Sequence, residues 1–222
     1  MSTSTDSTCT VLQNTGFTSC YSDKRRNPLW SAYRISAVKN SQTHKRLSRF
    51  KTDGRTKTKV SHSDYTHSGY DRGHMAPNYA VDTRYGQDAQ VETFLMSNIC
   101  PQKPNLNRRV WMKLEMLVAK EWSQKFETVW VITGPVFDSD IQNLKSGVEV
   151  PDGFFKIVVD EEDGKPRVLA FMMPQDVSGK ETPDKFLVSI DAIEAKTGLD
   201  FMAELPDDVE KKLEARVAVK LW

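Results

Sequence analysis

The sequence lacks any run of about eighteen apolar residues, the length that a helix needs to cross a bilayer, so we expect no membrane partner. The polar start, MSTSTDSTCT, has neither the basic nor the apolar region of a signal peptide, and any leader would lie outside this chain. Only three cysteines are present, too few for a disulfide framework. Cys9 and Cys20 flank a short polar loop and could pair in an oxidising compartment, whereas three free thiols are the alternative.

The chain nevertheless contains enough apolar material for a sizeable core. Of its 222 residues, 38% are hydrophobic, which is sufficient for one large domain. Residues 1–20 are rich in serine and threonine, and we interpret them as a polar N-terminal extension that is loosely held up to about residue 16. Residues 21–222 contain no repeat and no linker-like stretch, so we assign them to a single domain.

The near-neutral net charge of +1 hides an uneven charge distribution along the chain. Residues 21–75 contain thirteen Lys and Arg against four Asp, a local balance of +9 that leaves −8 on the remainder. A basic segment suggests a polyanionic partner, because each phosphate that Lys or Arg neutralises releases condensed counterions. The charge pattern therefore favours nucleic acid as the partner, with an ordinary solvated surface as the alternative.

Apolar patterning predicts a mixture of strands and helices, and hence an α+β fold. Alternating residues predict a first core strand from Asn27, and the polar stretch 40–69 predicts long surface loops. Residues 128–137 read as a buried strand and residues 153–174 as a hairpin with its turn at 162–165. Two short helices are predicted at 190–196 and after Pro206. A longer helix is indicated by the spacing of Val110, Trp111, Leu114, Leu117 and Val118.

Histidine is scarce, with four residues in the chain, and one of them lies in the segment YDRGHMA at residues 70–76. Adjacent residues of an extended segment point to opposite faces, so Asp71 and His74 need not touch. Gly73 would let the backbone come close to another group. An imidazole with a pKa of about 6.5 could act as a base at neutral pH, although a lone histidine is more often a surface or hydrogen-bonded core residue.

Asn107 and Glu115 together suggest a metal site. On a helix, their separation is a rise of roughly 12 Å and a turn of roughly 80°, too far for both to contact one ion comfortably. Because side chains lean toward the helix N-terminus, we predict that Asn107 binds a divalent cation and that Glu115 holds one of its waters. Mg²⁺, or Mn²⁺ in its place, suits so few protein ligands. The alternatives are a helix N-cap for Asn107 and an ordinary exposed helix position for Glu115.

Four motifs occur together and in order: DRGH at 71–74, N-I-x-P-Q at 98–102, L-N at 106–107 and W-x-x-L-E at 111–115. In this combination the chain resembles the DNA/RNA non-specific endonucleases of the ββα-metal (His-Me finger) group, which includes secreted bacterial nucleases and mitochondrial endonuclease G. The resemblance extends through TGPVF and TGLDFMAELPDD and covers most of residues 27–210. It implies a central antiparallel sheet flanked by helices, with the histidine on a strand or adjoining loop and the asparagine on a crossing helix.

The resemblance also implies a role for each matching position. His74 would be the general base, Asn107 the single direct protein ligand of the cation, and Glu115 the residue that orients a water. The remaining positions are Arg72 as a phosphate contact, Asn98 as part of the lining near the histidine and the nucleic acid, and Asp71 as a structural acceptor of a hydrogen bond or ion pair.

The family further uses an arginine upstream of DRGH to bind phosphate, in a segment resembling R-x-x-x-F-x-x-D. The corresponding segment here is RLSRFKTD at residues 46–53. Its spacing to Phe50 favours Arg46 as the catalytic arginine, but Arg49 stays open for this role and as a nucleic-acid contact. A guanidinium that binds phosphate through two hydrogen bonds would matter more than simple charge.

The activity that the resemblance implies is Mg²⁺-dependent hydrolysis of single- and double-stranded DNA and RNA to 5′-phosphate ends. A catalytically inactive nucleic-acid-binding module of the same fold is the alternative. Zinc binding by His62, His67 and His74 is a further alternative, but their spacing matches no common zinc finger. The sequence does not decide whether the chain forms a homodimer or whether an inhibitor protein binds it. A secreted or periplasmic location is favoured, with a mitochondrial one as the alternative.

Overall fold

The protein, described by a computed structural model over residues 8–39 and 41–222, is built on a seven-stranded antiparallel sheet. The strands of the described residues are β1 Thr10–Gln13, β2 Thr18–Ser22, β3 Asn27–Ser36, β4 Asp71–His74, β5 Ile99–Gln102, β6 Thr128–Val136, β7 Gln142–Asn143, β8 Glu149–Val150, β9 Gly153–Glu162, β10 Lys165–Pro174 and β11 Leu187–Val188. The main sheet has the order β1-β2-β3-β6-β9-β10-β11, and β4-β5 and β7-β8 form separate two-stranded units.

The centre of the sheet is formed by β3, β6, β9 and β10, whose predictions from the sequence are confirmed. The hairpin of β9 and β10 turns at Asp163 and Gly164, which both have positive φ angles of 54° and 73°. An Asp-Gly pair favours such a turn, because its twist matches that of the two strands. This hairpin fixes the register of the apolar strand β9, in which alternate residues point to opposite faces of the sheet.

Helices cover both faces of the sheet, so the predicted α+β architecture is confirmed. The regular α-helices are α1 Asn78–Glu92, α2 Met112–Met116, α3 Ser123–Lys125, α4 Ile190–Thr197 and α5 Asp207–Glu214. The two C-terminal helices match their predictions, and α4 ends at Gly198, whose φ of 68° favours glycine. No helix of the described residues is both long enough and apolar enough to cross a membrane.

Residues 106–125 form one long helix, in which π-helical segments Leu106–Trp111 and Leu117–Trp122 precede α2 and α3 respectively. Its predicted core face is confirmed, because Trp111, Leu114 and Val118 are buried against the main sheet. A π-helical segment widens the helix locally, and such segments are frequent at functional sites. We refer to residues 106–125 as the long helix.

Helix α1 was not predicted, because its apolar side chains are mostly small and a kink at Gly86 (φ 84°) takes the place of a regular amphipathic pattern. The interpretation of residues 1–20 as a polar extension also needs correction. Residues 10–13 and 18–22, placed in or beside a loose polar extension, pair as β1 and β2 within the main sheet. A disulfide joins Cys9 to Cys20, with Cα atoms 5.4 Å apart. Residues 1–7 of the predicted extension lie outside the described residues.

Candidate active site

The two-stranded unit of β4 and β5 places His74 at the end of β4, and the long helix begins at Leu106, shortly after β5 ends at Gln102. His74 pairs with Ile99 and Gly73 with Cys100 in the antiparallel register. The group that lies close to the Gly73 backbone is the side chain of Gln102. A Cβ atom at this position would lie 2.1 Å from Oε1 of the buried Gln102, so only glycine fits.

Asn98 supports the backbone of the segment that comes after His74. Its side-chain oxygen accepts a hydrogen bond from the Ala76 N–H at 2.8 Å, and its amide nitrogen donates to the carbonyl oxygens of Ala76 and Thr93 at 3.0 and 3.1 Å. The residue is fully buried. The predicted contact with nucleic acid is therefore corrected, because the Asn98 side chain is saturated with internal hydrogen bonds and has no exposed surface.

His74 is packed between two aromatic rings and is only 9% exposed. The ring centroids of Phe50 and Phe94 both lie 5.3 Å from that of its imidazole. Burial, and secondarily the positive charge of Arg46, lower the pKa of His74 to about 3. The imidazole is consequently neutral at physiological pH, with its Nε2 buried and unpartnered among the described residues.

Asp71 organises the start of the long helix. Its Oδ2 accepts a hydrogen bond from the amide nitrogen of Asn107 at 2.9 Å, and Arg108 donates to both carboxylate oxygens at 2.7 and 2.6 Å. Burial alone would raise the pKa of Asp71, but the hydrogen bonds from Arg108 and Asn107 lower it below its usual value. Since the amide nitrogen of Asn107 is held by Asp71, its amide oxygen is oriented away from Asp71 and can serve as a ligand.

Glu115 lies half-buried on the long helix, next to a buried lysine that the sequence analysis did not identify as functional. Lys156 on β9 is fully buried; its Nζ donates to the Tyr33 hydroxyl at 3.1 Å and lies 4.6 Å from the centre of the Trp111 ring. Burial raises the pKa of Glu115, while the charge of Lys156 opposes that rise. Burial likewise lowers the pKa of Lys156, and Glu115 opposes this shift. The two groups therefore favour each other's charged form.

The arginines of the site differ in what they face. Arg46 acts electrostatically on both His74 and Glu115, and its guanidinium lies 5.4 Å from the centre of the Phe94 ring. Arg49 instead acts on His62. Arg72 donates to the His62 carbonyl oxygen through two guanidinium nitrogens, Nη2 at 2.6 Å and Nε at 3.2 Å. Of the two arginines left open by the sequence, Arg46 is thus the one beside the predicted base.

A pocket of about 220 Å³ brings most of these side chains together. Of the predicted site residues, Arg46, Arg72, His74, Asn107 and Glu115 line it, whereas Asp71, Arg49 and Asn98 do not. The pocket also includes Arg108, an exposed guanidinium that sequence reasoning missed. Its position directly after Asn107, in an Asn-Arg-Arg run, was the available signal.

The residues of the pocket suit a hard cation. The candidate donors are the Asn107 amide oxygen and the Glu115 carboxylate, and oxygen donors are those that Mg²⁺ prefers. Within the described residues, the groups of three side chains spaced to hold a metal consist of Asp and Glu from the C-terminal helices. His62, His67 and His74 do not form such a group among the described residues, so the structure gives no support to the zinc alternative.

Comparison with known proteins gives consistent matches. A family described as DNA/RNA non-specific endonuclease matches residues 1–208. "Nuclease 1, mitochondrial" of Schizosaccharomyces pombe is 30% identical over 230 residues, covering 94% of this chain and 70% of that protein. "Endonuclease G, mitochondrial" of Homo sapiens is 30% identical over 202 residues, covering 84% and 67% respectively. The crystal structure of the EndoG/EndoGI complex, titled as showing the mechanism of EndoG inhibition, matches with a TM-score of 0.78 at 28% identity over 88% of this chain and 86% of that one.

Proposed function

The chain belongs to the DNA/RNA non-specific endonuclease family and is a nuclease, and from this premise we propose that it hydrolyses DNA and RNA internally with Mg²⁺ and His74 as general base. The observation that carries this proposal is the single pocket lined by Arg46, His74, Asn107 and Glu115. Hydrolysis of a phosphodiester needs a base, a positively charged group that binds the phosphate, and an oxygen ligand for a metal ion. His74, Arg46 and Asn107 respectively can supply these groups.

In this mechanism, His74 removes a proton from the attacking water. Its neutral imidazole is able to do so at physiological pH, because burial and Arg46 disfavour the protonated form. A phosphate bound beside Arg46 would offset that arginine's charge and raise the pKa of His74, which makes the imidazole a stronger base in the complex than in the free protein. Arg46 would contact the phosphate, and Arg108 and Arg72 would hold the neighbouring backbone.

The cation would bind at Asn107, whose amide oxygen is oriented by Asp71. When bound, Mg²⁺ would stabilise the negative charge that develops on the phosphate and on the leaving 3′ oxygen. Glu115 would accept a hydrogen bond from one of the cation's waters and so fix its orientation. Burial raises the pKa of Glu115 to about 7, and the charge of Lys156 favours the ionised form. Mn²⁺ could take the place of Mg²⁺, since both accept oxygen ligands.

The proposed substrates are single- and double-stranded DNA and RNA, with 5′-phosphate products. The charged groups of the pocket would address phosphates, which carry no sequence information, so little base preference is expected. Binding should weaken as salt rises, since counterions compete for the same phosphates.

The test is cleavage of supercoiled plasmid DNA and of a structured RNA by the full chain, with Mg²⁺ or with EDTA. We expect both substrates to be degraded with Mg²⁺ and spared with EDTA. Asn107→Ala should lose Mg²⁺-dependent cleavage, whereas Asn105→Ala, two residues away and exposed, should retain it. Cleavage that is equal in Asn107→Ala and the parent chain would contradict the assigned ligand. Binding of both nucleic acids without cleavage would instead favour the inactive module.

A mitochondrial location is proposed from the names of the two reported relatives. These relatives give no support to the secreted or periplasmic location that the sequence analysis favoured. The Cys9–Cys20 disulfide supports an oxidising compartment and does not by itself distinguish the mitochondrial from the secreted location. Fractionation of cells that make the natural protein tests the proposal, and recovery from the medium or the periplasm would contradict it.

A further inference from the structure

We propose that a second, separate site binds one divalent cation of the Ca²⁺ class where α4, the loop after it and α5 meet. One carboxylate oxygen each from Asp191, Glu194 and Glu214 lies within 4.8 Å of the other two, and the same holds for Asp200, Glu210 and Glu214. Glu214 belongs to both groups. We call these five residues the carboxylate cluster.

An independent observation at Glu214 points to a missing ligand. This residue is only 7% exposed, and its Oε1 is buried without a hydrogen-bond partner in the described part of the chain. A buried carboxylate oxygen with no partner is costly in free energy, and native structures almost always provide one. A cation between the carboxylates would supply the partner that the protein itself does not.

The charge of the carboxylate cluster is also not offset by basic side chains. Among residues 8–39 and 41–222, none of the five carboxylates forms a salt bridge, and the paired lysines of α4 and α5 bind elsewhere. Lys196 contacts Asp138 at 3.1 Å, and Lys212 contacts Asp208 at 3.7 Å. Burial and the charges of its acidic neighbours raise the pKa of Glu214 to about 7. A bound cation would attract each carboxylate and so offset their mutual repulsion.

The chemistry of the donors favours Ca²⁺. All five donors are carboxylates, whereas zinc sites are usually built from Cys and His. Ca²⁺ takes about six to eight oxygen ligands, among them several carboxylates, in irregular geometry. Mg²⁺ requires a near-ideal octahedron, usually keeps several waters and binds through one or two carboxylates. Three carboxylates in each group therefore suit Ca²⁺ better.

The consequence would be structural. Glu194 already fixes the loop after α4, because its Oε1 accepts a hydrogen bond from the Phe201 N–H at 2.7 Å. A cation beside Glu214, which belongs to both groups, would connect the end of α5 with α4 through Glu194 and with this loop through Asp200. Since none of the five residues lines the pocket, we expect the cation to change stability and to leave the chemistry unaffected.

The experiment uses the full chain with Asn107→Ala, depleted of metal, so that the pocket cation does not contribute. Calorimetric titration with CaCl₂ should show one binding event, and thermal unfolding should show a Tm rise of about 5–10 °C at a hundredfold excess over Kd. Adding Glu214→Gln should abolish both, and should raise the Tm of the metal-free chain because a repelled charge is removed. Glu204→Gln, a matched change of an exposed acid in the intervening loop, should retain both responses.

Two results would overturn the proposal. One is the absence of both Ca²⁺ binding and a Tm shift in the Asn107→Ala chain, which would leave Glu214 as a protonated buried acid. The other is Ca²⁺ binding of equal affinity after Glu214→Gln. Should that variant fail to fold, Asp200→Asn at the exposed rim gives the same test, with weaker Ca²⁺ binding expected and unchanged binding as the contradiction.

Discussion

Beside the pocket, the carboxylate of Asp71 accepts hydrogen bonds from Asn107 and Arg108, whereas the carboxylate of Glu214 in the carboxylate cluster is surrounded by other acids. Burial acts on both groups in the same direction and would raise both pKa values. The partners decide the outcome, because Arg108 and Asn107 lower the pKa of Asp71 while the acidic neighbours of Glu214 raise its pKa further.

The different surroundings of Asp71 and Glu214 predict different responses to mutation in the two regions. Removing one member of a matched set leaves its partner buried without compensation, which is costly for binding or catalysis. Removing one member of a like-charged set relieves repulsion when no cation is present. Substitutions in the pocket should therefore impair activity, and substitutions in the carboxylate cluster should alter metal-dependent stability alone.

His74→Ala is expected to have the largest effect. The turnover number should fall by roughly two or more orders of magnitude, because general-base assistance is typically worth about that much. The measurement is the rate of plasmid cleavage with Mg²⁺, alongside the circular dichroism of the folded variant. His67→Asn is the matched control; it changes an exposed histidine with a φ of 58°, which asparagine tolerates. Near-normal turnover of His74→Ala would remove this residue from the mechanism.

Arg46→Ala compared with Arg49→Ala comes next. Loss of a charge-assisted contact to phosphate should lower kcat/KM of Arg46→Ala by about tenfold to a hundredfold. Arg49→Ala should stay within about threefold of the parent chain, since an exposed charge facing His62 contributes little. Steady-state kinetics on one oligonucleotide decide between them. The reverse order of effects would exchange the two roles.

Lys156→Met removes the positive charge beside Glu115 and should lower kcat by about tenfold. A loss of this size is typical when a residue that supports a metal site without binding the metal is changed. Without the ammonium group, the pKa of Glu115 should rise further, so activity should be lost at a higher pH as the solution is acidified. KM should change little, and Lys156→Arg should restore part of the profile. An unchanged pH profile of kcat in Lys156→Met would limit Lys156 to packing.

The sequence predicted those parts of the site that lie close together along the chain. DRGH and the spacing of Asn107 and Glu115 were sufficient because β5, which pairs with β4, is followed almost directly by the long helix. Lys156 was not predicted, since β9 reaches the site only through the register of the main sheet. Its one signal was a charged residue at an inward position of an otherwise apolar strand, FFKIVV.

Residue type alone also misled in identifiable ways. Asn98 is polar, and only the fold reveals that its amide is saturated by the backbone of Ala76 and Thr93. The segment around β1 is rich in polar residues typical of a loose terminus, yet pairing with β2 and the Cys9–Cys20 disulfide order it. α1 was missed because its small buried residues form no regular apolar stripe. In each case long-range contacts outweighed local composition.

The proposed arrangement of cation and base can be tested most directly by the anomalous difference density of a crystal soaked in Mn²⁺. We expect a peak next to the amide oxygen of Asn107, on the side of the pocket that faces the imidazole of His74. A well-diffracting, fully soaked crystal with no peak beside Asn107 would contradict it, as would a peak from which the His74 ring is shielded by protein.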